Sequence, residues 1–417
     1  MFTLLFISFL LADVLLRLWL ASRQIRHVRR HRDHVPEAFS ARIGLYSHQR
    51  AADYTVAKMR LTMVERMVEA VVLVGFTLLG GLQFLDLTMG TLFDNEMLRQ
   101  LMLIAAVFAI MGVIGLPFAV YNKFRLEQRF GFNRVTPRLF IIDCIKTLIL
   151  SLIFGIPLAA AVLWIMGNAG TAWVWWAWGI WVAFNILLIW LFPTVIAPMF
   201  NKFTPLDNPE ISARINHLME RCGFSVKGLF VMDGSRRSAH GNAYFTGFGN
   251  ARRIVFFDTL LARLNADEIE AVLAHELGHF KHRHILRRMV VSFAFALVFF
   301  LVLGWLSGQL WFYEGLGVVP QFGRPNDALA LILFFLTVPV FTFWVTPLTA
   351  WMSRRDEFSA DRYASSQASA SALVSALVKL YDDNASTLTP DPLHSAFYDS
   401  HPSATQLIKS LQDAAST

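Results

Sequence analysis

The sequence predicts a mainly α, polytopic membrane protein of seven transmembrane helices carrying a small α+β cytoplasmic domain of zincin type. Three observations lead there. The chain is 55% hydrophobic against 16% charged, well outside the range of soluble domains. Seven apolar runs approach the roughly 20 residues that cross a bilayer as a helix. The largest polar insertion carries the pentapeptide His275-Glu276-Leu277-Gly278-His279. The net charge of +7 does not argue for nucleic acid, because the basic residues lie between apolar runs and not on one face, so no nucleic-acid partner is expected. Cys144 and Cys222 are too few for a disulfide framework and read as inert buried thiols.

The runs lie near residues 2–20, 67–84, 101–121, 147–166, 172–192, 289–313 and 328–352. The first lacks a basic leader and a small-residue cleavage site, so it is expected to stay as an anchor. Within it Asp13 and Arg17 stand four apart and are expected to pair; Glu69, in the second, has no evident local partner and hints at internal water. Lysine and arginine number ten in 21–66, six in 122–146, thirteen in 193–288 and five in 353–417, with only Arg99 and Arg324 on the opposite side. The runs predict an integral membrane protein in contact with lipid, in the inner or plasma membrane if the source is a bacterium, and the bias predicts its amino terminus outside and its active site and carboxyl terminus cytoplasmic. The chain divides accordingly into helices one to five with basic loops (1–200), a cytoplasmic zinc-protease domain (201–288), helices six and seven (289–352) and a C-terminal region that completes the zinc site (353–417).

The insertion is αβ in character. An amphipathic helix over Ile211–Arg221 stops at Gly223. Strands follow near Gly228–Met232, Asn242–Thr246 and Arg253–Phe257, with turns at Asp233-Gly234 and Gly247–Asn250. Asn265 with Glu268 forms a capping signature that opens a helix through Phe280.

On that helix His275 and His279 share a face, so both imidazoles can reach one ion, while Glu276 lies about 100° around the helix. Catalytic zinc takes three protein ligands. Beyond the last span, in Arg354-Arg355-Asp356-Glu357-Phe358-Ser359-Ala360-Asp361, Glu357 is the expected third ligand, and Asp361 one turn on is expected to orient a ligating imidazole. Asp356 breaks that face. His282 and His284 have no spacing partner and are expected to be solvated or interfacial. One Zn²⁺ per chain would lower the pKa of a bound water towards about 7 and polarise a peptide carbonyl. Glu276 is the base that takes the proton and returns it to the leaving nitrogen. The partner is then a peptide or protein, held extended along an exposed strand edge of which Asn242, Ala243 and Tyr244 are the candidates; a buried strand is the alternative for the same run.

These residues sit in longer segments that resemble the type I CAAX prenyl endopeptidases, membrane zinc metalloproteases with bacterial relatives. The similar pieces are Tyr121–Asn133, Ile196–Leu206, Asp233–Leu261, the helix of His275 and His279, Arg354–Asp361 and Ser400-His401-Pro402. The resemblance implies membrane helices around a water-filled chamber, His275, His279 and Glu357 as zinc ligands, Glu276 as base, and Asn242 on the substrate backbone. It also implies His401 as a catalytic residue that stabilises the oxyanion, and substrates that are lipidated or membrane-associated. One departure is Leu407, where the family pattern has an arginine, with Lys409 nearby. Two other readings share the features: a heat-shock type membrane metalloprotease of fewer spans, and a seven-helix transporter with a regulatory metal site, for which Pro339 and Pro347 in the last span speak. A protease cutting inside the bilayer does not fit, because the His-Glu helix carries Asp267, Glu268, Glu270 and Lys281.

Overall fold

The structure, a computed structural model, describes residues 1–246 and 253–415. The long apolar runs fold into α1 (Phe2–Arg30), α2 (Leu45–Phe76), α3 (Gly81–Leu92), α4 (Glu96–Tyr121), α5 (Pro137–Asn168) and α6 (Trp173–Leu191). Six helical stretches among the described residues are long and apolar enough to cross a membrane. The bent pair α2 and α3, meeting at 53°, makes seven when counted as one span. The predicted run 67–84 straddles that bend. Gly80 adopts a left-handed φ of 77°, and a Cβ on Gly81 would lie 2.6 Å from the Gly75 carbonyl oxygen, so the two glycines permit a turn that other residues resist.

Two expectations about charges meet different outcomes. Asp13 and Arg17 pair at 2.8 Å. Glu69 does have a local partner, Arg66 at 2.6 Å one turn earlier, and both side chains are exposed. The partner escaped notice because α2 begins more than twenty residues before its apolar run, which puts Arg66 on the same helix. Both cysteines are free and neither is buried as expected: Cys144 is exposed, on an outer face of α5, and Cys222 is half-buried.

The two ends of the helix assembly differ. At one end an apolar core gathers Phe6, Leu82, Leu103, Phe312 and Leu316, beside a cluster in which buried Arg99 donates to Asp86 (2.6 Å), Glu96 (2.8 Å) and the Pro325 carbonyl (2.6 Å). Arg324 reaches the same Glu96 at 3.3 Å. Arg99 and Arg324, the two exceptions in the charge count, thus share one end. The basic loops share the other: Arg32 pairs with Asp53 and Arg50 donates to the Phe130 carbonyl, and Arg237 of the polar insertion forks onto Asp143 of α5 at 2.9 and 3.0 Å.

The insertion folds as expected, with one addition. Asn208 caps α7 (Pro209–Cys222), which closes on Gly223 at φ 71°. A four-stranded sheet runs in the order β1 (Phe203–Pro205), β2 (Gly228–Met232), β4 (Arg253–Phe257), β3 (Ala243–Thr246), with β2 and β4 parallel and the outer pairs antiparallel. The three-residue β1 was not predicted. The expected Gly247–Asn250 turn lies outside the described residues. Helix α8 (Ala266–Lys281) starts in a complete capping box between Asn265 and Glu268 and packs Ile269, Leu273 and Leu277 with Ile254 and Phe256 of the sheet and Ile215 and Leu218 of α7.

After α9 (His284–Leu306) and α10 (Asp327–Thr342), a short 3₁₀ turn over Phe343–Val345 leads into α11 (Thr346–Gln367). At 22 residues α11 is about 33 Å long, and it carries the chain from the apolar region onto the polar domain. The last helices, α12 (Ala370–Asp383), α13 (Pro392–Tyr398) and α14 (Ala404–Ala415), fold back on that domain: Leu373, Ala376 and Leu411 enter its core.

Candidate metal centre and active site

The site is built where α8 crosses α11. On α8 the four-residue spacing sets His275 and His279 one above the other, with their rings 5.0 Å apart. On α11 the residues Glu357, Ala360, Asp361 and Ala364 form a buried stripe at helical spacing. Gly278 and Ala360 make the crossing close, since a Cβ on Gly278 would stand 2.8 Å from the Ala360 Cα. With larger residues at either position the two faces would be held apart.

The close crossing brings three donor atoms together. His275 Nε2 lies 3.2 Å from His279 Nε2 and 3.4 Å from Glu357 Oε2, and His279 Nε2 lies 3.6 Å from that oxygen. Ligands 2.0–2.1 Å from a tetrahedral ion stand about 3.3–3.4 Å apart, so this triangle has the edge lengths of three corners of a zinc tetrahedron. The donor set, two imidazoles and a carboxylate, is also one that zinc takes. The residues therefore fit the metal, and their geometry leaves a fourth corner without a protein donor among the described residues.

Around the triangle, Asp361 Oδ1 accepts from His275 Nδ1 at 2.8 Å, as its position one turn after Glu357 requires. Asp361 is 1% exposed, and its other oxygen has no partner among the described residues. Burial opposes a positive charge on the His275 ring, but Asp361 and Glu357 outweigh it and push the pKa up to about 10. The site is therefore set up to hold positive charge. His401, on the segment before α14, brings Nδ1 to 2.9 Å from Glu357 Oε2 with 64% of its side chain exposed; that carboxylate raises its pKa against a smaller opposing effect of burial. Glu276 is half-buried beside His275, and its charge acts on both His275 and His401.

Strand β3 lies at the edge of the sheet, pairing only with β4 among the described strands. Of the two open alternatives for this run, the edge strand is the one observed. Ala243 and Tyr244 stand opposite Phe256 and Val255, and Phe245 packs its ring 5.0 Å from Phe280 at the end of α8. The Asn242 side chain turns back on its own strand, where Oδ1 accepts from the Ala243 amide at 2.8 Å. Leu407 is buried on α14, whereas Lys409, two residues on, is exposed.

One residue departs from expectation. His282 is exposed as expected, but His284 is 4% exposed and lies directly behind His279, with the two Nδ1 atoms 3.0 Å apart. Five positions along a continuous helix would separate them by about 140°. The helix instead stops, and Arg283 takes a left-handed φ of 54° that swings the chain back. Only that single-residue turn, which carries no glycine signal, makes the contact.

A two-histidine, one-carboxylate cluster on crossed helices, at the polar end of a set of membrane-spanning helices, defines an integral-membrane metalloprotease. A model of the CAAX prenyl protease N-terminal region, described as five membrane helices, matches residues 24–202, and a model of peptidase family M48 matches residues 205–415. The chain is 37% identical to a CAAX prenyl protease 1 homolog of rice, over 77% of this chain and 75% of that protein. It is 35% identical to CAAX prenyl protease 1 of Saccharomyces cerevisiae, over 75% and 72%, and 30% identical to the human homolog, over 76% and 74%. The crystal structure of S. mikatae Ste24p superposes with a TM-score of 0.91 at 28% identity, covering 99% of both chains. The chain belongs to peptidase family M48, among the CAAX prenyl proteases. It is a membrane zinc metalloendopeptidase, and the transporter and heat-shock readings find no support.

Proposed function

We propose that His275, His279 and Glu357 hold one zinc ion per chain and that the enzyme cleaves lipidated peptides near their carboxyl termini. The donor triangle of 3.2, 3.4 and 3.6 Å carries the metal assignment. Zinc in such a site activates water and polarises the scissile carbonyl. Glu276, next to His275 and half-buried, is the group that takes the proton from the attacking water and returns it to the leaving nitrogen. Asp361 holds His275 with Nε2 forward. His401, beside Glu357, donates to the oxyanion. The free edge of β3 pairs with an extended substrate, Asn242 holding its backbone and Ala243 and Tyr244 offering amide and carbonyl groups.

The lipid part of the proposal rests on the relatives' names and on the shape of the helix assembly. In five of the six single spans only 6–28% of the most apolar stretch is buried within the protein. Helices in a tight bundle bury a broad stripe, and these meet one another more sparsely; that they enclose a chamber with room for a prenyl chain and its peptide is what the resemblance to the family implies. The working division of the chain, with membrane helices in 1–200 and 289–352 and catalytic parts in 201–288 and 353–417, belongs to the same proposal. So does the orientation, with the metal end cytoplasmic. Glu276→Gln tests the chemistry: it should keep its zinc and lose cleavage of a farnesylated peptide by at least 10²-fold. Wild-type turnover by that variant would remove Glu276 from the reaction. Equal cleavage of farnesylated and unmodified peptide would remove the lipid from the specificity.

A further inference from the structure

We propose that His284, with Ser359 behind it, is a positioning residue that fixes the ring of His279. The inference rests on the reading that His279 Nε2 faces the metal. With Nε2 facing a cation, the hydrogen of that imidazole sits on Nδ1, and the Nδ1 of His284, 3.0 Å away, must accept it. His284 then carries its own hydrogen on Nε2, which lies 3.0 Å from Ser359 Oγ. Ser359 donates onward to the Asp356 carbonyl at 2.8 Å. Every donor in this chain has one acceptor, and the direction is set from the metal outward. His284 and Asp356 are both nearly inaccessible to solvent, and the Asp356 carboxylate is engaged by Arg287 and Arg288, so the relay ends on a backbone carbonyl and not on a free charge.

The two metal-facing imidazoles are thus held by different chemistry: His275 by the carboxylate of Asp361, His279 by a neutral imidazole. The local backbone supports the assignment. A left-handed conformation is unfavourable at a non-glycine residue, and Arg283 adopts one, at φ 54°, at the position that turns His284 under His279.

The test is zinc affinity of the full-length, detergent-solubilised chain, measured by chelator competition at one pH. His284→Ala should bind zinc on the order of 10–100-fold more weakly. His284→Asn, whose Oδ1 can accept from His279 Nδ1, should recover most of that loss, which a packing role would not produce. Ser359→Ala should weaken binding by a few-fold and Ser359→Thr should not; this pair decides the matter should His284→Ala fail to fold. Wild-type affinity in His284→Ala or in Ser359→Ala, or an equal loss in His284→Asn and His284→Ala, overturns the relay while His279→Ala still abolishes binding. Wild-type affinity in His279→Ala overturns the metal site itself.

Discussion

Gly278 stands between the two histidines of α8, with its missing side chain aimed at Ala360 of α11, and the metal centre depends on that gap. A methyl group there would meet the Ala360 Cα at 2.8 Å and its carbonyl oxygen at 3.0 Å, both of them backbone atoms that cannot swing aside. Gly278→Ala should therefore push the helices apart at a cost of about 1–3 kcal/mol and lower the zinc content of the purified protein. Full zinc occupancy with an unchanged melting temperature would show that the crossing tolerates a side chain. The contrast between Gly278 and the histidines illustrates what a sequence discloses at this scale. Residues four apart on one helix declare a shared face, as His275 with His279 and Glu357 with Asp361 do. A contact made across two helices, as at Gly278, or around a single left-handed residue, as at His284, has no periodicity to announce it.

Among the elements, α8 owes its start to reciprocal bonds: Asn265 Oδ1 accepts from the Glu268 amide and Glu268 Oε2 from the Asn265 amide, each at 2.9 Å. Glu268 also accepts from Lys379 at 2.7 Å and Ser375 at 2.8 Å, which ties α12 to the helix that carries both histidines. Burial alone would raise its pKa, but Lys379, the Asn265 amide and Ser375 together hold it below the usual value. The folded state thus favours the ionised carboxylate. Its contribution is present above the unfolded pKa of about 4.3 and is lost as pH falls through the lower folded value. Glu268→Gln should lower stability at pH 7 by about 1 kcal/mol, the difference between charged and neutral hydrogen bonds, and should show a flatter melting temperature between pH 5 and pH 3. Parallel pH profiles for the two proteins would contradict this. Capping pairs of this kind are short-range and were readable, as were β2 and β4 from their unbroken β-rich runs. The three-residue β1 and the bend between α2 and α3 were not. β1 exists only through its pairing with β2, and the bend falls within a run long enough to read as one span, where the Gly80-Gly81 pair was its only signal.

At the scale of the whole molecule, the C-terminal region is held from two sides. Arg23 of α1 forks onto Asp391 at 3.0 and 3.2 Å, and the same carboxylate caps α13 through the Leu393 and His394 amides. From α11, Arg354 donates to the Ser395 and Asp399 carbonyls at 3.1 and 2.7 Å. Both ties bear on the segment that presents His401. Asp391→Ala should slow peptide cleavage on the order of tenfold, equivalent to about 1.4 kcal/mol, while zinc content stays at the wild-type level. Loss of zinc in step with activity would mean that the tie supports the metal site itself. The meeting of residues 275–279 with residue 357 was anticipated from the four-residue spacings and zinc's need for a third ligand, together with the charge distribution, which put their segments on one side of the membrane. What the helices enclose is not written in the apolar runs, which say that a helix meets lipid but not what its other face borders; only the resemblance to the family implied a chamber there.

The central claim is that residues far apart in the chain grip a single ion. Atomic absorption on purified wild-type and Glu357→Ala protein tests it most directly. About one zinc per wild-type chain, and most of it gone from the variant with helical content intact, is the predicted result; equal zinc in the two proteins would contradict the assignment.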